Sequence, residues 1–106
     1  MRIQQEGCAS EIDSLPGCSQ IAVFHSTFIP PEHRGKGIGT LAHKLRLEMA
    51  NTLMYDYTIC TVNAQNTHQI KILENFGWKQ LDGFQSRKTG NTVLIYGKLL
   101  NIQPTT

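Results

Sequence analysis

The sequence predicts an α/β fold in which a mixed β-sheet carries two helices. Strand-like and helix-like apolar patterns follow one another roughly in the order β-β-α-β-α-β-β. Glycines cluster at residues 35–39, directly between a strand-like run and a helix-like run. The length of 106 residues suits one domain, so we expect residues 1–106 to form a single unit with its helices packed on the sheet.

The first 20 residues are the weakest part of this pattern. They carry no clear apolar period, and we expect irregular chain with at most one short strand, around residues 1–8. Turn-forming residues interrupt the stretch repeatedly: Gly7, Ser14, Pro16 and Gly17. Residues 21–29 then alternate between two faces, which predicts a strand that Pro30 and Pro31 bring to an end.

Residues 38–53 predict an amphipathic helix, because apolar residues recur there at steps of three and four. The apolar face of this helix would consist of Ile38, Leu41, Ala42, Leu45, Met49 and Leu53. Three charged residues lie off that face, and we therefore expect water around Lys44, Arg46 and Glu48.

The remaining elements follow from local composition. In order they are a strand at 57–62, a helix that ends at Gly77, strands at 78–85 and 92–100 around a hairpin turn at 87–91, and a polar tail at 101–106. Asn66 or Thr67 would cap the second helix at its start, since both side chains can accept a backbone hydrogen bond. Gly77 would end it, because glycine readily adopts the left-handed conformation found there.

The composition favours a globular protein of the cell interior. The net charge of +2 is too small to indicate a nucleic-acid partner or an anionic membrane. No apolar run approaches the roughly 20 residues of a membrane span, and residues 1–6 lack the apolar core of a signal peptide. Cys8, Cys18 and Cys60 are odd in number and lack metal-ligand spacing, so we expect free thiols in a reducing cytoplasm and no metal site.

The segment from Phe28 to Thr40 carries the strongest functional signal. Its three glycines alternate directly before the predicted first helix: Gly35, Gly37 and Gly39. Glycine permits sharp turns and close approach of a ligand to the backbone, and a helix N-terminus offers unpaired N–H groups and a positive dipole end. Arg34 and Lys36 add positive charge. These features together predict a phosphate or pyrophosphate site.

The spacing excludes two common phosphate loops. A P-loop needs serine or threonine after its lysine, whereas Gly37 follows Lys36, and the dinucleotide fingerprint Gly-x-Gly-x-x-Gly needs a wider third step. The residues match Arg/Gln-x-x-Gly-x-Gly/Ala from Arg34 to Gly39, which resembles the acetyl-CoA loop of the GNAT family of N-acetyltransferases. Without that resemblance, the same residues would also fit a tight strand–helix turn that binds nothing.

A second segment adds to the resemblance. Residues 66–78 are similar to the later family pattern Asn-x-x-Ala-x-x-x-Tyr-x-x-x-Gly-Phe, with Asn66, Gly77 and Trp78 at matching positions. The two segments occur in the order of the family, and the resemblance covers roughly residues 21–100. It implies an acyl-CoA N-acyltransferase fold that is reduced at the N-terminus, with acetyl-CoA as cosubstrate.

The resemblance also implies where acetyl-CoA binds. Backbone groups of Phe28 and Ile29 would pair with the pantetheine arm. The pyrophosphate would lie against Arg34, Gly35, Lys36, Gly37, Ile38, Gly39 and Thr40. Asn66 would contact the pantetheine or the acceptor, although it would serve equally well as a helix cap. The Lys36 side chain would reach the 3′-phosphate of the coenzyme or would equally well be a solvated lysine.

The implied reaction is direct attack of a primary amine on the thioester, which requires a base for the proton of the amine. His25 is our candidate by residue type, near-neutral reference pKa and place on its strand, although a lone histidine on a strand is often structural. The alternatives are Glu32, His33, His68 and a chain of water molecules. The tyrosine that acts as the acid in the family falls on Leu73, so Tyr57, Tyr96 or solvent would have to replace it.

Three functions stay open at this point. The first is an N-acetyltransferase acting on a protein lysine, a protein N-terminus or a small amine. The two early helices that commonly wall the acceptor pocket in the family have no counterpart in residues 1–20, so we expect an open acceptor groove or a homodimer that closes it. The second is a weakly active or inactive GNAT-fold protein that binds CoA or a partner. The third is a nucleotide or phosphate binder with a similar loop.

Overall fold

The computed structural model describes residues 1–5, 7–28, 32, 35 and 37–101, with the backbone alone for Gln5, Ser26 and Phe28. The described elements are β1 (Arg2–Gln5), β2 (Cys8–Leu15), β3 (Cys18–Phe28), α1 (Ile38–Thr52), β4 (Tyr57–Asn63), α2 (Thr67–Asn75), β5 (Lys79–Gln85) and β6 (Thr92–Leu99). The strands form one sheet in the order β1-β2-β3-β4-β6-β5. Among these neighbours β3 and β4 are parallel and the rest are antiparallel. The predicted mixed-sheet α/β fold is confirmed.

The first 20 residues contain more strand than the sequence indicated. The expectation of at most one short strand is wrong, because β1, β2 and the start of β3 all lie there. Gly7 (φ 82°) and Gly17 (φ 81°) make the turns between these strands, in a left-handed conformation that costs glycine little. The strand β2 does carry a two-residue alternation, whose buried members are Cys8, Ser10 and Ile12.

Both helices pack on one face of the sheet and enclose the core with it. The core consists of Ile12, Ala22, Phe24, Val62 and Tyr96 from strands, Leu47, Ala50 and Leu73 from helices, and Trp78. The ends of α2 are as predicted: the Asn66 side chain caps its start, and Gly77 with φ 86° follows its end. The predicted polar tail lies outside the described residues beyond Asn101.

The helix α1 turns a different face to the sheet from the one its apolar pattern predicts. Its buried residues are Ala42, His43, Arg46, Leu47 and Ala50, and Leu41 is exposed. Lys44 and Glu48 are exposed as expected, but the expectation of a solvated Arg46 is wrong. The buried set also follows steps of three and four, so helical period alone could not choose between the two faces.

The strands β3 and β4 pair over a short stretch and then diverge. Their pairs are Ile21 with Tyr57, Ala22 with Thr58, and Val23 with Ile59. Both strands continue, as residues 24–28 and 60–63, while their outer edges stay paired to β2 and β6. The sheet therefore opens between two walls that are each held from outside, at the carboxyl ends of its parallel strands. That edge is where open α/β sheets bind ligands.

An irregularity in β3 changes which side chains face the helices. Ala9 pairs with Phe28 and Glu11 with His25, so β3 has one extra residue over this interval. Beyond the extra residue the alternation of side chains is shifted by one. Thr27 therefore faces the helices, where its hydroxyl accepts a hydrogen bond from Arg46.

We predict that Gly97→Ala destabilises the sheet. Gly97 is buried on β6, and an added Cβ would overlap the Tyr57 hydroxyl and lie 2.8 Å from Leu81 Cδ1. Forcing these groups apart should cost about 1–3 kcal/mol of unfolding free energy, measured by urea denaturation. In a double-mutant cycle, Tyr57→Ala should remove part of this cost. Strictly additive effects of the two substitutions would contradict the overlap.

Candidate functional site

The diverging strands enclose a cleft with a volume of about 750 Å³. Its walls come from β3 and β4, and side chains of α1 and α2 line it on the helical face. Gly35, Gly37 and Gly39, which we call the glycine loop, lie at its open end. Each helix starts at the carboxyl end of the strand before it, so the two helix N-termini both lie at this opening. Beyond Val23 and Ile59 the inner edges of β3 and β4 face the cleft, where an extended ligand could pair with their backbone groups, as in strand addition.

Gly35 and Gly37 shape the open end of the cleft. Their φ angles of 77° and 75° are left-handed, and a Cβ on either residue would meet no heavy atom of the described residues within 4 Å. Backbone conformation thus requires glycine here, and the space beside the loop can admit a ligand. Gly37 is the N-cap of α1 and makes no side-chain cap bond, so it leaves the N–H groups of the first turn available to an anion.

The structure brings part of the predicted cofactor set together. Lining the cleft are Gly35, Gly37, Ile38, Gly39 and Asn66. Thr40 is exposed in the first turn of α1 and does not line it, and Phe28 ends β3. Ile29, Arg34 and Lys36 lie outside the described residues, as does the alternative base His33.

Asn66 combines a cap with a place in the cleft. Its Oδ1 accepts a hydrogen bond of 3.2 Å from the backbone N–H of Gln69, and its side chain borders the cleft. Because the cap uses only the amide oxygen, the two N–H groups of the Asn66 amide are not part of it and could serve a ligand.

His25 lies in the cleft wall and contacts two carboxylates from β2. Its Nε2 is 2.5 Å from Asp13 Oδ2, and its Nδ1 is 3.7 Å from Glu11 Oε2. The hydrogen bond to the imidazole lowers the pKa of the Asp13 carboxyl. An ionised Asp13 accepts the Nε2 proton and so places the lone pair of a neutral His25 on Nδ1. Sequence reasoning missed both carboxylates because it did not predict β2, whose alternation sets Glu11 and Asp13 on one face.

The other predicted catalytic residues are less well placed. His68 lines the cleft in the first turn of α2, and Glu32 is exposed. Leu73 is fully buried in the cleft wall, and among the described residues no tyrosine lines the cleft. Tyr96 is in the core and Tyr57 shares the opposite face of the sheet with Ile21, so neither expected substitute for the acid reaches the cleft.

A buried polar cluster that the sequence did not predict lies beneath the cleft. Trp78 donates from Nε1 to His43 Nε2 at 2.8 Å, and Arg46 donates from Nη1 to Thr27 Oγ1 at 2.8 Å. The His43 side chain is 1% exposed, and burial, with the nearby Arg46 and Lys98 charges, lowers its pKa to about 3. The imidazole is therefore neutral and accepts from the indole. The available signal was a histidine and an arginine three residues apart on α1.

The cysteine thiols are free and unreactive at this site. Cys8, Cys18 and Cys60 are free, as expected. Cys60 lines the cleft, and burial raises its pKa to about 12, which keeps it protonated at neutral pH. The described residues hold no cluster of histidine, cysteine and carboxylate side chains suited to a metal ion. None of the described helices combines the length and apolar character that crossing a membrane requires.

Sequence comparison decides the family. A profile of the Acetyltransferase (GNAT) family matches residues 7–78, more than half of the 106-residue chain. The chain belongs to the GNAT family. The matched region contains the glycine loop, α1 and α2, so the family resemblance predicted from these segments is confirmed. GNAT enzymes use acetyl-CoA, which is the ligand predicted for the loop. No curated protein shows significant sequence similarity to the chain.

Solved GNAT structures share this fold. The Escherichia coli ribosomal-protein-S18-alanine N-acetyltransferase superposes with a TM-score of 0.79 at 11% identity, over 92% of this chain and 64% of its own. A protein of Salmonella typhimurium assigned as an acetyltransferase, yncA, with its cofactor acetyl-CoA, gives 0.79 at 15% identity, over 93% and 61%. Nourseothricin acetyltransferase gives 0.74 at 17%, over 90% and 58%. The present chain thus spans less than two thirds of the length of each.

We predict that His43 makes the stability of the fold fall as pH decreases. Its folded pKa of about 3 lies below its unfolded value of 6.5, so the unfolded chain binds the extra proton. The stabilisation is complete above the unfolded pKa and is lost as pH falls toward the folded one. The slope should approach about 1.4 kcal/mol per pH unit in urea denaturation between about pH 5.5 and about pH 4.

Two variants separate this contribution from the other titrating groups. His43→Gln has no titratable ring and can still accept from the Trp78 indole, so its slope should be shallower by most of that amount. His68→Gln, on the exposed start of α2, is the control for loss of a histidine side chain from the surface. Equal slopes in wild type and His43→Gln would refute the assignment.

Proposed function

We propose that this protein is an acetyl-CoA-dependent N-acetyltransferase that acetylates a primary amine, on a protein or a small molecule, by direct attack. The observation that carries the proposal is the cleft between β3 and β4, which leads from the glycine loop to the end of strand pairing. Family membership supports acetyl transfer as the reaction class.

The residues of the cleft fit the two parts of such a cosubstrate. Gly35, Gly37 and the first turn of α1 offer backbone N–H groups and open space to a pyrophosphate. The inner edge of β3, beyond its last pair with β4 at Val23 and Ile59, offers backbone groups to the amides of the pantetheine arm. Ile29, Arg34, Lys36 and Thr40 complete the proposed contacts. Acetyl-CoA, when bound, supplies an acetyl group activated as a thioester.

Residues of the chain supply the base for the amine and the hydrogen-bond donors for the carbonyl oxygen. His25 takes the proton of the amine at Nδ1, while Asp13 holds the imidazole through Nε2. The carboxylate of Glu11, 3.7 Å from Nδ1, gives the neighbourhood a negative charge that favours an approaching ammonium group. Inner-edge N–H groups of β3 can donate to the carbonyl oxygen as it gains negative charge.

One observation favours a second candidate, a GNAT-fold protein that binds acetyl-CoA or a partner with weak or no turnover. Leu73 fills the wall where the family places its acid, and no tyrosine among the described residues lines the cleft. Under this alternative the cosubstrate site would be intact and amine transfer would be missing.

The cosubstrate site is tested by calorimetric titration of acetyl-CoA into wild type, Gly37→Glu and Gly90→Glu. Both glycines have left-handed φ angles, 75° and 77°, with open space around them, so both substitutions add similar strain and the same charge. Gly37 lies at the cleft, whereas Gly90 lies in the β5–β6 hairpin. We expect Gly37→Glu to weaken binding by at least about tenfold through repulsion of the pyrophosphate. Equal affinities, or no binding by folded wild type, would count against the site.

Turnover separates the two candidate functions. Labelled acetyl-CoA is incubated with wild type and a panel of peptide and small-molecule amines. We expect His25→Gln to lower kcat by roughly 10²–10⁴, the usual contribution of a general base, with acetyl-CoA affinity unchanged. Asp13→Asn, which alters the partner of the imidazole and the ion pair of Asp13 with the N-terminal ammonium, should have a smaller effect. Tight binding of acetyl-CoA by wild type with no transfer to any amine would favour the second candidate.

A further inference from the structure

We propose, on the basis of the acetyl-CoA site proposed above, that Arg46 forms an anion site at the closed end of the cleft and holds the coenzyme A sulfur there as a thiolate. Arg46 belongs to none of the three groups described above, which are the glycines of residues 35–39, the capped start of α2, and His25 with its two carboxylates. The sequence pattern predicted that Arg46 is solvated, whereas the structure buries it.

The first reason is an unbalanced buried charge. Arg46 is 4% exposed and lines the cleft. Among the described residues its neighbours carry no negative charge: the Phe24 ring is 5.1 Å from the guanidinium carbon, and the thiols of Cys8 and Cys60 are kept protonated by burial. Among the described residues no carboxylate forms an ion pair with it. Burial lowers the pKa of Arg46, but a guanidinium stays protonated in proteins, so a bound anion would be strongly favoured.

The second reason is a surplus of donors. A guanidinium has five N–H groups, and the Thr27 hydroxyl accepts from Nη1. The Nε atom is buried with no acceptor among the described residues. Nη2 lies 3.3 Å from His43 Nδ1, but neutral His43 accepts from Trp78 at Nε2 and must carry its proton on Nδ1. That contact therefore joins two donors, and most of the donors of Arg46 remain for a ligand.

The third reason is position. Phe24 and Cys60 are the residues that directly follow the last pair of β3 and β4, Val23 with Ile59. Arg46 lies against both, since its guanidinium stacks on Phe24 and interacts with the Cys60 thiol. Its guanidinium therefore borders the closed end of the cleft at Phe24 and extends along β3 to Thr27. A chain-like ligand that enters from the loop brings its far end to Arg46.

The length of α1 matches such a ligand. The backbone of Arg46 is eight residues beyond Ile38, the first residue of α1, and a helix rises 1.5 Å per residue, which gives about 12 Å. Because helix side chains lean toward the N-terminus, the guanidinium lies within that distance. The arm of coenzyme A between its pyrophosphate and its sulfur is about as long as an extended tetrapeptide, roughly 13 Å at 3.3 Å per residue. With the pyrophosphate at the helix N-terminus, the sulfur reaches the level of Arg46.

The chemistry of acetyl transfer needs an anion site at this place. A carbon–nitrogen bond forms to the amine and the carbon–sulfur bond breaks, and the pair of electrons from the broken bond leaves with sulfur as a thiolate. The proton of the amine goes to His25. Leu73 offers no proton to the sulfur, so a fixed positive charge would stabilise the thiolate until solvent protonates it.

The test compares the binding of coenzyme A, which carries an ionisable thiol, with that of acetyl-CoA, which does not. Calorimetric affinities are measured between about pH 6.5 and about pH 9.5, spanning the reference thiol pKa of about 8.5. If the site prefers the thiolate, the affinity for coenzyme A relative to acetyl-CoA rises with pH, tenfold for each unit by which binding lowers the thiol pKa. His43, Lys98, Cys8 and Cys60 face this region, and any effect of theirs on both ligands cancels in the ratio.

Variants assign the effect to Arg46. We expect the rise to disappear in Arg46→Met and to persist in part in Arg46→Lys. It should be unchanged in Lys44→Met, which removes an exposed charge from the same helix. Parallel pH dependences for both ligands in wild type, or an unchanged rise in Arg46→Met, would overturn the thiolate site and leave the proposed function standing. Failure of folded wild type to bind either ligand would overturn both.

Discussion

The structure depends on the short parallel pairing of β3 with β4. Three residue pairs join them, and beyond Val23 and Ile59 the described strand partners of β3 and β4 are their outer neighbours, β2 and β6. The opening between the strands is therefore held on both sides by antiparallel ladders that continue past it. Two helix N-termini meet at the same edge because each helix follows one of these strands. The strand pairing, the helix N-termini and the glycine loop thus all contribute to the same cleft.

The buried polar cluster next to the cleft affects both the stability of the fold and the chemistry of the cleft. Trp78 fixes the tautomer of His43, and that tautomer in turn denies Arg46 an acceptor. A fully apolar cluster of the same volume would often be as stable or more stable, because burying ionised groups carries a large desolvation penalty. The charge lines the cleft, where a bound anion would offset the cost of burying it.

Much of the fold could be predicted from the sequence. The bounds of α1, β4, β5 and β6 agree with the apolar periods within about two residues. The strand β2 was missed because a half-buried strand with charged alternate residues resembles polar loop. The burial of Arg46 was missed for a different reason: α1 has two faces of equal helical period, and aromatic neighbours from distant segments decide which one is buried. The glycine loop was found because its signal is local, whereas Asp13 meets His25 only through strand pairing.

The position of Trp78 gives the molecule an optical property. It is the sole tryptophan of the chain, and its indole packs on Phe24 at 5.5 Å and on His43 at 5.4 Å between ring centroids. Both of those rings line the cleft, so the indole lies one side chain behind the wall. Its fluorescence therefore senses the packing of that wall without being quenched by water. An imidazole quenches indole emission more strongly when protonated, so the same emission also reports the charge state of His43.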